Sequence, residues 1–323
     1  MRDRGITLPN PVRQKVAILG TEGRKWLADL DDLIESLEQE WQITVGAILE
    51  GGTEAYVAQA RTKDGARVIL KVAIPESNGN TVLAHEITAL TIADGHGYAR
   101  LLRSDLSRRA LLLEALGLPL KDLGYSTKAQ IEIICTTLKE SWVRTSSQIS
   151  QISPVSQLPS GASMAQWLAK FISELWENLG RPCSQQSLDM ALSFAQARAR
   201  AFNPEVAVLV HGDAHNGNTL QNLSQNAQFP SLFKLIDPDG IIAEGAYDLG
   251  VLMREWVDEL IADPARLGSE RCAYLSSLTG MEMQAIWQWG FIQSLSTGLF
   301  LIQVGLEQSG VQMLKVAEAW AKA

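Results

Sequence analysis

Residues 208–220, VLVHGDAHNGNTL, run from three apolar side chains into a histidine, an aspartate, a second histidine and two asparagines. Asp213 precedes Asn218 by five residues, and a later β-type segment, LFKLI, ends at Asp237 in IDPDG. Placed together, one carboxylate can orient a hydroxyl and accept its proton, while Asn218 and Asp237 offer oxygen ligands to a hard divalent cation. Magnesium carried with nucleotide phosphates suits so sparse an oxygen set, because it keeps waters and takes phosphate oxygens as ligands. A positioned hydroxyl, metal charge on phosphates and in-line attack are the requirements of phosphoryl transfer. The two histidines suggest a second chemistry, a His-x-Asp-x-His zinc site in a hydrolase. Only four histidines exist, at 85, 96, 211 and 215, and no further His/Cys/Asp cluster completes a zinc set.

The interval from Asp213 to Asn218 is that of the protein-kinase catalytic loop, here opened by His-Gly-Asp in place of His-Arg-Asp. The remaining parts of such a machine can be sought upstream. VILKV sets Lys71 in an otherwise apolar strand, where an ammonium needs a partner or a phosphate. AHEITAL supplies Glu86 fifteen residues later, on a segment of helical periodicity; a Lys–Glu pair aimed at the α- and β-phosphates is the kinase solution. LEGGTEAYV places Gly51, Gly52 and Thr53 in a turn between strands that can lie over phosphates. In LLLEALG, backbone groups from Glu114 to Leu116 can hydrogen-bond a nucleotide base. The ordinary alternatives are an edge-strand lysine with its head in water and a solvated helix glutamate.

These residues must be positioned by elements the pattern makes visible. WLADLDDLIESLEQEW, residues 26–41, carries Leu27, Leu30, Ile34, Leu37 and Trp41 at helical spacing. WQITVGAIL, AYVAQAR and ARVILKVA follow as β-rich runs separated by Glu50-Gly51-Gly52 and Lys63-Asp64-Gly65, an antiparallel meander. Residues 81–93 return to helix, and strands are expected over 98–103 and 110–116. Beyond 120 the pattern is mainly helical, interrupted by a Ser/Gln-rich loop over 145–162. The later β signals are AVLV before the catalytic loop, with NTLQN and LFKLI forming a hairpin after it; residues 246–323 are helical and Trp-rich. The expected class is α+β, with a small antiparallel β lobe over 1–115 bearing one key helix and a larger, mainly helical lobe over 116–323.

Composition narrows the setting. A chain of 323 residues can bury two cores, and its net charge of −8 argues against a general nucleic-acid binder and agrees with a cationic ligand. Three scattered cysteines make no disulfide framework and point to a reducing cytosol, and neither a signal peptide nor a membrane-length apolar run is seen. Oligomeric state leaves no trace in the sequence.

The order HGDAHNGN, IDPDG, EGAYDLGVLMREW resembles the aminoglycoside phosphotransferase family of small-molecule kinases, which share the protein-kinase fold. Within it the match is nearest to the streptomycin 6-phosphotransferase branch, also described as aminoglycoside/hydroxyurea resistance kinases, and the motifs extend from about Leu49 to Glu255. The resemblance implies ATP or GTP as donor, Mg2+, and a small-molecule hydroxyl acceptor. It implies Asp213 as catalytic base, Asn218 and Asp237 as metal ligands, Asp248 as a structural aspartate under the catalytic loop, Tyr247 as core and His211 as a brace. The glycine turn departs from the full GxGxxG spacing, and Asp239 receives no role. Around the acceptor, Glu244, Asp248, Glu255, Asp258, Glu259 and Asp263 face a single Arg254, either lining a pocket for an amino sugar or forming a solvated helix face. Trp256, Trp287 and Trp289 wall a pocket or fill the core. Related kinases act on amino alcohols and sugars, and a nucleotide-binding pseudokinase without turnover is the remaining rival.

Overall fold

The structure is a computed structural model and describes residues 8–50, 52, 54–76, 81–144, 158–224 and 231–322. Gly51 and Thr53 of the glycine turn, and most of the expected 145–162 loop, lie outside the described residues.

Two helices open the chain, α1 (Asn10–Ile18) and α2 (Gly20–Trp41). The first was not expected, because its only buried residues, Val12 and Val16, give little periodic signal. The second starts six residues before the expected boundary. It buries Trp26, Leu30, Ile34, Leu37 and Trp41, while Leu27, expected on the apolar stripe, is exposed. The two helices cross so closely that a Cβ on Gly23 would stand 2.1 Å from the Val16 carbonyl oxygen, so a side chain at 23 cannot be accommodated without parting them.

The meander follows as β1 (Ile43–Ile48), β2 (Ala55–Thr62) and β3 (Arg67–Ala73), then α3 (Thr81–Ala93), β4 (Leu101–Asp105) and β5 (Ala110–Glu114). The strands form one antiparallel sheet in the order β1-β2-β3-β5-β4. Strand alternation splits β3 between two faces. Val68, Leu70 and Val72 pack outward with Leu112 against α2, each fully buried apolar side chain contributing about 1.5–3 kcal/mol. Ile69 and Lys71 therefore point to the opposite face, toward α3 and the rest of the chain.

Past β5 a 3-10 turn (Leu120–Asp122) leads into α4 (Thr127–Ser141), α5 (Gly161–Asn178) and α6 (Gln185–Ala201). Each of these three helices is capped by a serine, Ser126, Ser160 and Ser184, whose hydroxyl accepts from the backbone N–H three residues on. Four strands of three residues come next: β6 (Val208–Val210), β7 (Thr219–Gln221), β8 (Phe233–Leu235) and β9 (Ile241–Ala243). The expected hairpin is the β7–β8 pair. The β6–β9 pair adds a strand the sequence did not announce, since IIA is too short to alternate. Tyr98 lies before β4, not within it, and bridges to Leu235, tying the sheet's connection to the β7–β8 hairpin.

The remainder is α7 (Ala246–Arg254), α8 (Val257–Leu260), α9 (Pro264–Thr279), α10 (Met283–Gln303) and α11 (Glu307–Trp320). Helix α10 is apolar around most of its circumference and packs against α5, α6, α7, α9 and α11, as a central helix must. Among the described residues no helix is long and apolar enough to cross a membrane, and Cys135, Cys183 and Cys272 are buried free thiols.

Candidate active site

Lys71 and Glu86 meet because β3 turns Lys71 inward and α3 presents Glu86 among buried apolar neighbours. The Lys71 ammonium donates to both carboxylate oxygens of Glu86, at 2.7 and 2.9 Å, and to Asp237 Oδ1 at 2.9 Å. Burial alone would lower the lysine's proton affinity, but Asp237 and Glu86 together hold it above its ordinary value. Burial raises Glu86, with Lys71 opposing it, whereas Lys71 outweighs burial at Asp237 and holds that carboxyl below its usual range.

Asp237 sits just past β8 at φ +56°, a left-handed backbone conformation uncommon for residues other than glycine. This conformation turns the chain out of the hairpin while its carboxylate reaches Lys71. Asn218, just before β7, donates through Nδ2 to the Asp213 carbonyl at 3.1 Å, which orients its Oδ1 as the oxygen left for a ligand. Both residues line one cavity of about 870 Å3, together with Lys71, Gly52, Glu114 and Leu116. Oxygen donors from Asn218 and Asp237 beside a lysine fit a magnesium ion that completes its shell with phosphates and water.

At the cavity's other end the Glu114 backbone N–H donates to the Arg100 carbonyl, and its carboxylate accepts from the Arg100 N–H and from the ammonium of buried Lys234. The N–H and side chain of Glu114 are thus committed to the protein; its backbone carbonyl and the backbone groups of Leu116 have no hydrogen bond recorded among the described residues.

The loop that carries Asp213 and Asn218 hangs on one buried carboxylate. Asp248, in the first turn of α7, accepts from the backbone N–H groups of His211 and Gly212 at 3.0 and 2.8 Å, and from the Trp142 indole at 3.0 Å. His211 uses both ring nitrogens: Nε2 donates to the Ile236 carbonyl at 2.7 Å, and Nδ1 accepts from the Asp213 N–H at 3.1 Å. That pattern requires the neutral ring, in keeping with the lowering of its proton affinity by burial, and leaves no lone pair for zinc. Among the described residues no group of three His, Cys, Asp or Glu is placed to hold a metal.

Asp213 itself lies between an arginine and a histidine. Arg254 Nη2 donates to Oδ1 at 2.5 Å, and His215 Nε2 stands 3.5 Å from Oδ2. Burial opposes ionisation of Asp213, yet His215 and Arg254 keep its carboxyl far below the usual carboxylate range. Arg254 is the contact that spacing could not reveal: it lies 41 residues downstream and read only as the single cation of an acidic run. It is fixed from the next turn, where Trp256 takes φ +52° and stacks over Arg271, whose guanidinium donates to the Glu255 carbonyl.

The acidic run does not form one face. Asp248 is buried; Glu244 pairs with Arg198 and the Trp289 indole; Glu259 accepts from Thr127; Asp263 pairs with Arg266. Trp289 fills the core against Tyr247, Trp287 leans on Trp320, and none of the three tryptophans lines the large cavity. Asp239, left without a role in the sequence, stands beside the catalytic loop; burial and the charge of Asp213 push its carboxyl up to about 7.

A lysine–glutamate pair, an Asp/Asn/Asp set in kinase order and a sheet packed on a helical body define a small-molecule kinase of the protein-kinase-like fold. The thermostable aminoglycoside phosphotransferase APH(4)-Ia, solved with ADP and hygromycin B, superposes with a TM-score of 0.61 at 13% identity, covering 89% of this chain and 97% of its own. Choline kinase LicA from Streptococcus pneumoniae superposes at 0.60 with 14% identity, over 91% and 99%. The streptomycin 6-kinase of Streptomyces glaucescens is 24% identical over 303 residues, 93% of this chain and 92% of the relative. The family model of the aminoglycoside/hydroxyurea antibiotic resistance kinases matches residues 40–305, and the chain belongs to that family. It is a phosphotransferase with a hydroxyl acceptor, and as a kinase it draws on a nucleotide donor.

Proposed function

We propose that the protein transfers the γ-phosphoryl group of ATP, with GTP as the alternative donor, to a hydroxyl of an aminoglycoside, streptomycin being the first acceptor to test. The observation that carries this reading is the convergence of Lys71, Asn218 and Asp237 on one nucleotide-sized cavity, with Asp213 immediately beyond it. The streptomycin 6-kinase relative supports the acceptor class. Residues 1–115 would serve as the nucleotide-binding lobe and 116–323 as the acceptor lobe.

In this mechanism Lys71, oriented by Glu86, exchanges its contact with Asp237 for the nucleotide phosphates. Gly52, of the expected Gly51–Thr53 turn, lines the cavity on the side of those phosphates, and the base hydrogen-bonds the backbone at Glu114 and Leu116. Magnesium held by Asn218 and Asp237 would neutralise charge on the phosphate oxygens. Asp213 orients the acceptor hydroxyl and takes its proton. Arg254 holds Oδ1 at 2.5 Å while His215 approaches Oδ2 only to 3.5 Å, so Oδ2, the less tightly held oxygen, is the one for the hydroxyl. The protein's own contribution is position and charge, as phosphoryl transfer demands.

The test is a coupled ADP- or GDP-release assay with magnesium across aminoglycosides, amino alcohols and sugars, with mass spectrometry of the acceptor. Streptomycin is expected to gain one phosphate. Release with an amino alcohol or sugar but with no aminocyclitol would reject the antibiotic reading and keep the kinase. Nucleotide binding without transfer to any acceptor would make the chain a pseudokinase.

A further inference from the structure

The charges around the catalytic loop are matched with one exception. Lys71 serves Glu86 and Asp237; Arg254 and His215 serve Asp213; Asp248 is held by two backbone N–H groups and an indole. The carboxylate of Asp239 has no hydrogen bond or ion pair among the described residues. Its place is nevertheless fixed. The Asp239 backbone N–H donates to the His211 carbonyl at 2.8 Å. A Cβ on Gly212, itself at φ +96°, would stand 2.7 Å from both Cβ and Oδ2 of Asp239. The carboxylate therefore lies against the backbone immediately before Asp213, in space that a glycine at 212 leaves open.

Asp237 and Asn218 line the nucleotide cavity, whereas Asp213 and Asp239 do not. Asp239 is exposed to solvent, beside the loop that carries Asp213. Arg254 acts on it only from beyond ion-pair distance, its own ion pair being with Asp213, so the exposed carboxylate is open to a cationic ligand, a charge-assisted contact.

We propose that Asp239 reads the acceptor: its carboxylate binds an ammonium or guanidinium substituent close to the hydroxyl that Asp213 engages. This rests on the reading of the chain as an aminoglycoside kinase and extends it to a named specificity residue. A hydroxyl flanked by a cationic group is then preferred over the same hydroxyl in a neutral polyol. The bond is charge-assisted, so its loss weakens acceptor binding by about 10- to 100-fold.

The full-length protein and its D239N, D239A and D239E variants are assayed with magnesium-ATP and streptomycin, reading the KM of each substrate, kcat and the magnesium requirement. D239N and D239A are expected to raise the streptomycin KM about 10- to 100-fold, with D239E restoring part of the loss and the ATP KM unmoved. Melting and nucleotide affinity report folding, and D239E carries the test if the other variants do not fold. An unchanged streptomycin KM in D239N would overturn the proposal. So would a raised magnesium requirement with that KM unchanged, which would make Asp239 a metal ligand. A wild-type protein that does not phosphorylate streptomycin removes the aminoglycoside reading before any variant is compared. An active wild type with indifferent variants removes Asp239 alone.

Discussion

In the proposed mechanism the cleft has a nucleotide end and an acceptor end: at the first, Lys71 comes from the middle of a five-stranded sheet and Glu86 from a thirteen-residue helix, both backed by apolar side chains. At the acceptor end, Asp213 stands in a loop after a three-residue strand, held by hydrogen bonds to Asp248 and His211 and by the cation of Arg254. One end takes its geometry from packing and the other from a few polar contacts spread over distant parts of the chain. Substitutions should therefore fail differently at the two ends, the first through nucleotide handling and the second through the placement of one carboxylate.

The largest effect is expected where the acceptor end is anchored. D248A strands two backbone N–H groups and an indole N–H in the interior, which should cost about 3–5 kcal/mol of stability in urea unfolding. In the folded fraction, acceptor turnover should be lost while nucleotide affinity is kept. Loss of both together would erase the distinction between the ends. K71M should follow, lowering kcat by about 10²- to 10³-fold and weakening nucleotide binding, and it leaves Glu86 buried and unpaired. The double variant K71M/E86Q should recover stability without activity; recovered activity would mean that the pair does not serve phosphate.

R254M should act on the base alone. Arg254 favours the ionised form of Asp213, so its removal lifts the folded-state pKa, and the acid limb of kcat/KM should move upward by about one pH unit or more. The deficit should deepen as pH falls. A smaller shift in the same direction is expected of H215N, because His215 stands farther away and is cationic only when protonated. If H215N shifted the limb more than R254M, the clamp would have been assigned to the wrong residue.

The nucleotide end was the more legible one in the sequence. A lysine within VILKV breaks an apolar alternation, and Glu86 follows on the next helix, so type and spacing alone suggest the pair. Asp213, Asn218 and Asp237 also stood out, because their intervals are set by a short loop and a hairpin. The polar contacts that steady them did not. Arg254 reaches Asp213 from the end of α7, Lys234 reaches Glu114 from β8, and Asp239 is set against Gly212 by a backbone hydrogen bond. None of these pairs shares a period or a motif; they exist only once the chain has folded back on itself. Strand β9 and helix α1 were missed for a related reason, since neither carries enough apolar residues to establish a repeat.

The central claim is that Asp213 orients and deprotonates an acceptor hydroxyl while the Lys71 end holds the nucleotide. Its most direct test is D213N, with the amide replacing the carboxylate in the same space. Rapid-quench single turnover with labelled ATP and streptomycin should show phosphoryl transfer slowed by about 10³-fold, with nucleotide affinity and melting temperature unchanged. Transfer at the wild-type rate would contradict the account.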